Sequence, residues 1–150
     1  MKKGVDYIGV TVSYLCFDAE GRLLLAKRGE NARDEHGRWD NGGGGVEFGD
    51  TIEETLHKEI REEYGADVLS YEFLGVRDVM RNQNGVPTHW ISVDYKVLLD
   101  PARVVNGEPH KLDEGAWFQL DNLPSPLHSG LPGFLRKHAD LLGISADILP

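Results

Sequence analysis

The sequence is poor in cysteine, in basic residues and in long apolar runs, and each of these shortages excludes a class of protein. A single cysteine, Cys16, among 150 residues excludes an intramolecular disulfide and a zinc site built from cysteines. No stretch reaches the roughly 18 to 20 apolar residues that a transmembrane helix needs, so we expect no membrane partner. Lysine and arginine number 16 against 25 acids, a net charge of -9. This charge disfavours nucleic acid as the main partner, because backbone binding needs a basic surface.

What is present suits one folded domain spanning residues 1–150. Hydrophobic residues make up 40% and charged residues 27%, which is typical of a globular chain. Lys2-Lys3 precedes the apolar stretch Tyr7–Phe17, but Asp6 interrupts it and no small-residue cleavage site follows. We therefore expect no secretory signal and a cytoplasmic location. The acidic excess has two interpretations, solubility or carboxylates gathered to hold a cation.

Alternating apolar patterns and turn residues predict an α/β fold in which helices pack on a mixed sheet. The pair Asn84-Gly85 is typical of a tight hairpin turn between two long strands. The predicted strands are Tyr7–Phe17, Leu23–Lys27, Val68–Met80, Thr88–Leu99 and Ala116–Gln119, and the predicted helices are Thr51–Tyr64 and Leu131–Gly143.

The first predicted helix has the clearest signals. It lacks glycine and proline, and apolar residues recur every four positions: Ile52, Leu56 and Ile60. Thr51 with Glu54 three residues later fits a capping box, and Gly65 is placed to end the helix. The sequence therefore predicts a helix whose apolar stripe packs on the sheet.

Three glutamates lie in or beside that apolar stripe. With Ile52 at zero and about 100° per residue, Glu63 falls at about 20°, Glu59 at about -20° and Glu62 at about -80°. Glu54 falls on the opposite, solvated side. Burying several carboxylates together is costly unless a cation neutralises them, and Mg²⁺ or Mn²⁺ prefers carboxylate oxygens. The alternative interpretation is an ordinary charged helix face.

The glycine run Gly42–Gly45 precedes this helix. One interpretation is a flexible loop. The other is a backbone that approaches a phosphate or a metal ion with no Cβ in the way. The run is not a P-loop, because no Gly-Lys-Ser/Thr sequence follows it.

The spacing of these residues is similar to that of a known family. Gly44, five residues, Asp50, seven residues and then Lys58-Glu59-Ile60-Arg61-Glu62-Glu63-Tyr64-Gly65-Ala66 resembles the 23-residue Nudix box of MutT-like pyrophosphohydrolases. Flanking residues also follow the family order: Trp39, Gly43, Val46-Glu47, Gly49, Trp117-Phe118 and Leu123-Pro124. The resemblance covers most of the chain.

The resemblance implies a Nudix α/β/α sandwich around a mixed sheet, with Mg²⁺ as cofactor and Mn²⁺ as a substitute. It implies hydrolysis of a nucleoside diphosphate linked to a group X. Glu59, Glu62 and Glu63 match the family's metal-binding glutamates, and Gly43 matches a glycine whose carbonyl joins them. Lys58, Glu59 and Glu62 match positions tied to catalysis.

We expect a small nucleotide as the partner, most simply a nucleoside triphosphate, either unmodified or oxidised. ADP-ribose or a nucleotide sugar is the alternative substrate. A Nudix-fold nucleotide-binding regulator with low turnover is the alternative function. The sequence does not determine the oligomeric state, and a homodimer is one candidate.

Three positions depart from the family pattern. Asp50 stands where the family usually has Glu, Lys58 where it has Arg, and Gly42 where proline is common. Lysine cannot form the bidentate fork of arginine, so we expect a looser pair with Asp50. Glycine in place of proline predicts a more mobile segment.

Candidates for substrate binding lie outside the box. The segment Asn106–Lys111 is similar to the Glu-Pro-x-Lys segment of MutT-like enzymes that act on nucleoside triphosphates. Glu108 is therefore a candidate metal ligand or general base, and Glu114 and Asp113 compete for that role. An incidental glutamate in a polar loop is the alternative.

Arg28, at the end of the second strand, is a candidate phosphate ligand, or else a solvated arginine. Trp39, Trp90 and Phe48 are candidates for stacking on a base, or else core residues. The six histidines show no metal-ligand spacing, so we interpret them as surface or packing residues. Cys16 is predicted to be a buried apolar residue.

Overall fold

The computed structural model describes residues 1–150 and contains one seven-stranded mixed sheet with helices on both faces. The strands are β1 (Gly9–Phe17), β2 (Leu23–Arg28), β3 (Trp39–Asp40), β4 (Gly42–Gly45), β5 (Ser70–Gln83), β6 (Val86–Leu98) and β7 (Leu112–Phe118). The helices are α1 (Ile52–Tyr64), α2 (Leu131–Lys137) and α3 (Ala139–Leu142), with 3-10 turns at Pro101–Arg103 and Ala146–Ile148. Five strands lie in the order β3-β2-β1-β6-β5. Among these strands, only β1 and β6 pair in parallel. The sheet is thus mixed and is flanked by helices, which confirms the predicted α/β class.

The sheet is split along one edge of β1. At its C-terminal end β1 pairs with β2, through Phe17 and Leu23. Its residues 11–14 pair instead with β4. Strand β3 pairs with β2, and the next strand, β4, pairs with β1. The chain therefore passes from the edge of β2 to the edge of β1 between Asp40 and Gly42. The glycine run is therefore a paired strand, and the interpretation of it as a flexible loop is wrong. Gly42 is buried within that strand, and the greater mobility of this segment stays a prediction.

Each face of the sheet carries its own hydrophobic core. Helix α1 packs on one face through Leu56 and Ile60, against Val12 and Tyr14 of β1. Helix α2 packs on the other face, where Phe134 lies in a separate buried cluster. Cys16 is buried, as predicted. No helix combines the length and the apolar character that would let it cross a membrane.

The ends of α1 follow the predicted signals. The Thr51 side chain accepts a hydrogen bond from the Glu54 backbone N–H at 3.1 Å, and Gly65 ends the helix with φ of 63°. Leu56 and Ile60 are fully buried, but Ile52 is 36% exposed. The prediction of a buried Ile52 is wrong because the buried stripe begins one turn later, at Thr55.

Other bounds were predicted less well. The hairpin turn lies at Asn84 and Gly85, both with positive φ, but its first strand continues to Gln83. The last strand starts at Leu112 rather than Ala116, because it pairs with β2 along most of that strand. The final helix is broken at His138, whose ring bonds to Asp94 of β6 at 2.7 Å.

Candidate metal and nucleotide site

The glycine strand β4 lies directly against the acidic face of α1. A Cβ built on Gly44 would lie 2.2 Å from Cδ of Glu59. A Cβ on Gly42 would lie 2.2 Å from the Tyr14 ring and 2.8 Å from Oε2 of Glu63. These separations are shorter than atomic contact allows. The strand can therefore lie this close to the helix only because Gly42 and Gly44 have no Cβ.

Glu63 lies between α1 and the glycine strand, and it is only 9% exposed. Its Oε1 accepts hydrogen bonds from the Tyr14 hydroxyl at 2.7 Å and from the Gly43 N–H at 3.2 Å. Burial raises the pKa of Glu63 to about 8, although both hydrogen bonds oppose the shift. The predicted position of Glu63 on the buried meridian of the helix is confirmed. A carboxylate in this place lacks a compensating positive charge.

Glu59 and Glu62 lie beside Glu63 on the same helix. Glu59 is half-buried, and burial together with the charge of Glu62 raises its pKa. Glu62 is exposed to solvent. The nearby cations pair with other acids: Lys58 with Asp50, Arg61 with Asp67 and Lys111 with Glu108. The three glutamates thus form a cluster of carboxyl groups without an ion-pair partner, which suits a divalent cation with oxygen ligands.

The unusual pair Asp50 and Lys58 does form. Lys58 Nζ donates to Asp50 Oδ2 at 3.1 Å, and this hydrogen bond raises the pKa of Lys58. Both side chains remain partly exposed. The contact is a single hydrogen bond, as expected from the geometry of an ammonium group.

Glu108 belongs to the loop after the first 3-10 turn, and its side chain is 24% exposed. Burial is the main reason that the pKa values of Glu59 and Glu63 are raised, and the charge of Glu108 adds to both. The preceding residue, Gly107, donates its N–H to the Glu63 carbonyl at 2.9 Å, so the structure brings the Glu108 backbone to the end of α1 that carries the acidic face. Glu114 lines a cavity of about 230 Å³ that also reaches Glu63.

Arg28 does not have a guanidinium free for a phosphate. Its Nε donates to the Asp34 carbonyl at 2.8 Å, and its Nη atoms pair with the carboxylates of Asp34 at 2.9 Å and Asp40 at 3.2 Å. The structure does not support the predicted substrate-binding role of Arg28, because carboxylates of its own chain already occupy it.

The predicted stacking residues lie apart from one another. Trp39 is half-buried and packs edge-to-face on Phe118, with ring centroids 5.1 Å apart, which assigns it to the core on the α2 side. Trp90 lies against the backbone of Gly4 and Gly9. The structure does not support base stacking by Trp39 or Trp90, because packing within the chain occupies their rings. Phe48 is fully exposed and remains free.

Two polar clusters were missed, and both involve histidines treated as ordinary residues. Asp94, fully buried, accepts from Arg77 Nε at 2.6 Å and Ser92 Oγ at 2.7 Å, and its Oδ2 lies 2.7 Å from His138 Nε2. Polar residues at alternate positions of β6, facing away from the apolar ones, were the available signal.

The second cluster places one ligand atom each of Asp34, Glu35 and His128 within 4.8 Å of one another. Arg28 and Arg81 neutralise its acids, so it is an ion-pair cluster.

A mixed sheet between helices, with a glycine strand opposite three glutamates, defines an α/β/α fold with an acidic site. The sequence model of the NUDIX domain family matches residues 8–138. This chain belongs to the Nudix family.

Relatives of known activity match part of their length. The chain is 35% identical over 115 residues to the oxidized purine nucleoside triphosphate hydrolase of Mus musculus, an alignment covering 69% of this chain and 62% of that protein. It is 45% identical over 53 residues to the nucleoside triphosphatase NudI of Escherichia coli, covering 35% and 38%. The chain thus spans less than two thirds of the length of these relatives.

Solved structures match more completely. The MutT NUDIX hydrolase of Burkholderia pseudomallei superposes with a TM-score of 0.76 at 28% identity, covering 88% of this chain and 98% of that one. The NUDIX domain of Shewanella oneidensis NrtR, crystallised with ADP ribose, gives 0.72 at 16% identity, covering 91% and 90%. The second likeness shows the fold alone.

Proposed function

We propose that this chain is a single-domain, Mg²⁺-dependent pyrophosphohydrolase that cleaves nucleoside triphosphates, unmodified or oxidised. One observation carries the proposal: Glu59, Glu62 and Glu63 share one face of α1, opposite a strand without side chains, and none has a cationic partner. The names of the rodent and bacterial relatives support this substrate class.

The donor set fits a hard divalent cation. Glu59, Glu62 and Glu63 supply carboxylate oxygens, the ligands that Mg²⁺ and Mn²⁺ prefer. In a strand the N–H and C=O of one residue point to the same side. The Gly43 N–H faces Glu63, so we assign the Gly43 carbonyl to the same set. When bound, the metal neutralises pyrophosphate oxygens and lowers the pKa of a bound water.

The remaining residues of the site hold the ligands and move protons. Tyr14 and Gly43 fix the orientation of the Glu63 carboxylate through their hydrogen bonds. The Asp50 and Lys58 pair ties the turn before α1 to the helix, so Lys58 acts by positioning Glu59 and Glu62. We assign acceptance of a proton from the attacking water to Glu62, which is exposed, or to Glu108 of the loop.

A panel of substrates tests the proposal. We would measure phosphate and pyrophosphate release with Mg²⁺ from nucleoside triphosphates, oxidised nucleotides, nucleotide sugars and ADP-ribose. We expect the triphosphates to be hydrolysed fastest. Faster hydrolysis of ADP-ribose or of a nucleotide sugar would move the chain to that substrate class. Tight nucleotide binding without turnover would identify a regulator and contradict the enzymatic proposal.

A matched pair of variants locates the activity. Glu62→Gln should abolish turnover and leave the fold intact, because it removes one charge from the acidic face. Glu54→Gln makes the same chemical change on the opposite, exposed side of α1 and should retain activity. Full activity of the Glu62 variant would contradict the placement of the metal.

A further inference from the structure

The loop of residues 104–108 docks on the C-terminal end of α1. The Val105 N–H donates to the Tyr64 carbonyl at 2.8 Å, and the Gly107 N–H donates to the Glu63 carbonyl at 2.9 Å. The last four carbonyls of a helix lack partners within that helix. The loop thus satisfies two carbonyls in the turn that carries the acidic face.

Gly107 permits this docking. A Cβ at that position would lie 2.1 Å from the Glu62 carbonyl oxygen and 3.0 Å from its carbon. Those are backbone atoms of a helix whose Ile60 and Tyr64 are buried, so they cannot yield as a side-chain tip can. Gly107 does not have a positive φ. Close approach to the helix, and not backbone conformation, therefore requires glycine here.

Asn106 fixes the residue that follows. Its Oδ1 accepts a hydrogen bond from the Glu108 N–H at 3.0 Å, and its Nδ2 donates to the Leu112 carbonyl at 2.8 Å. These bonds close the loop on itself and set the backbone position of Glu108. The glutamate is thus held by two linked contacts, one to the helix and one within the loop.

We propose that Gly107, together with Asn106, is a positioning residue that seats the loop on α1 and so delivers the Glu108 carboxylate to the cation-binding face. Neither residue touches the substrate, since each acts through Glu108. The inference rests on the proposed function, because it gives Glu108 a part in the same site.

Mn²⁺ binding to the free protein is the main test. Gly107→Ala should weaken Mn²⁺ affinity, measured by electron paramagnetic resonance, by roughly 10- to 100-fold, the range seen when residues that orient metal ligands are changed. Hydrogen exchange of residues 104–108 should speed up in the same variant. Gly133→Ala is the control, because a Cβ there meets nothing within 4 Å, and both readouts should stay at the wild-type level.

A double-mutant cycle tests the route of the effect. If Gly107 acts through Glu108, then adding Gly107→Ala to Glu108→Gln should lower Mn²⁺ affinity no further. Additive losses would show that Gly107 acts by distorting α1, and would overturn the proposal. Wild-type affinity in Gly107→Ala would overturn it as well.

A second variant covers the case in which Gly107→Ala does not fold. Asn106→Ala leaves the backbone contacts to the helix in place and removes the side-chain hydrogen bonds to the Glu108 N–H and the Leu112 carbonyl, so the same loss of affinity is expected. Unchanged affinity and exchange in this variant would overturn the proposal.

These readouts separate the inference from the proposed function. Mn²⁺ binding without hydrolysis of any nucleotide would defeat the proposed function and still test the role of Gly107. Absence of Mn²⁺ binding to the wild-type protein would overturn the inference.

Discussion

Removal of the Asp94 carboxylate should destabilise the protein more than any other single loss of charge in the sheet. Asp94 is fully buried, and its two oxygens contact Arg77, Ser92 and His138. Asp94→Ala leaves the Arg77 guanidinium, whose side chain is 16% exposed, without its partner. Breaking a buried pair in this way costs about 3–5 kcal/mol. The same change frees His138, which anchors the junction of α2 and α3.

Circular dichroism measures this loss, as a free energy in urea unfolding and as a shift of the melting temperature in thermal unfolding. At about 2–4 °C per kcal/mol for a chain of this size, the melting temperature should fall by roughly 6 to 20 °C. Asp78→Ala is the control, because the Asp78 carboxylate is exposed and pairs with His89 at 2.9 Å on the same strand pair. An exposed pair is worth about 0–1 kcal/mol. Equal losses in the two variants would refute the reasoning that burial makes the Asp94 network strong.

Three further predictions concern the site. Gly44→Ala should weaken Mn²⁺ binding with little change in the free energy of unfolding, because the added Cβ displaces only the flexible end of Glu59; a large loss of stability would contradict this. Lys58→Arg combined with Asp50→Glu should raise kcat, since arginine forms two bonds to a carboxylate, and unchanged kcat would show that the single bond suffices. In EDTA, the free energy of unfolding of wild type relative to Glu63→Gln should fall as pH rises from about 5 towards 8. The folded protein retains a proton that the unfolded chain releases, giving a slope of about 1.4 kcal/mol per pH unit; equal slopes in both proteins would contradict the raised pKa.

The sequence predicted the acidic helix well because its signals are local. The cap at Thr51, the end at Gly65 and the burial of Glu63 all follow from spacing within one segment. Helical periodicity fixes which residues share a face without reference to the rest of the chain.

Features that depend on distant partners were not predictable in this way. Four glycines have no preference for a strand, and β4 forms because β1 offers a pairing edge. The sequence makes Arg28 a candidate phosphate ligand or a solvated arginine, and it does not reveal the actual partners, Asp34 and Asp40, because these approach Arg28 only in the folded chain. The Asp94 and His138 pair joins residues 44 positions apart, and no local pattern links them.

The wall of the site opposite α1 is main chain only, since β4 is built from Gly42–Gly45. A Cβ at Gly42, Gly43 or Gly44 would lie less than 3 Å from atoms of Tyr14, Val12 or Glu59, so a side chain at these positions collides with its neighbours before it can offer a new functional group. Variation of this site by mutation is therefore confined to the helix and to the loop that carries Glu108. A search for altered substrate choice by directed evolution should randomise residues 109–114 and keep Asn106, Gly107, Glu108 and the glycine strand unchanged.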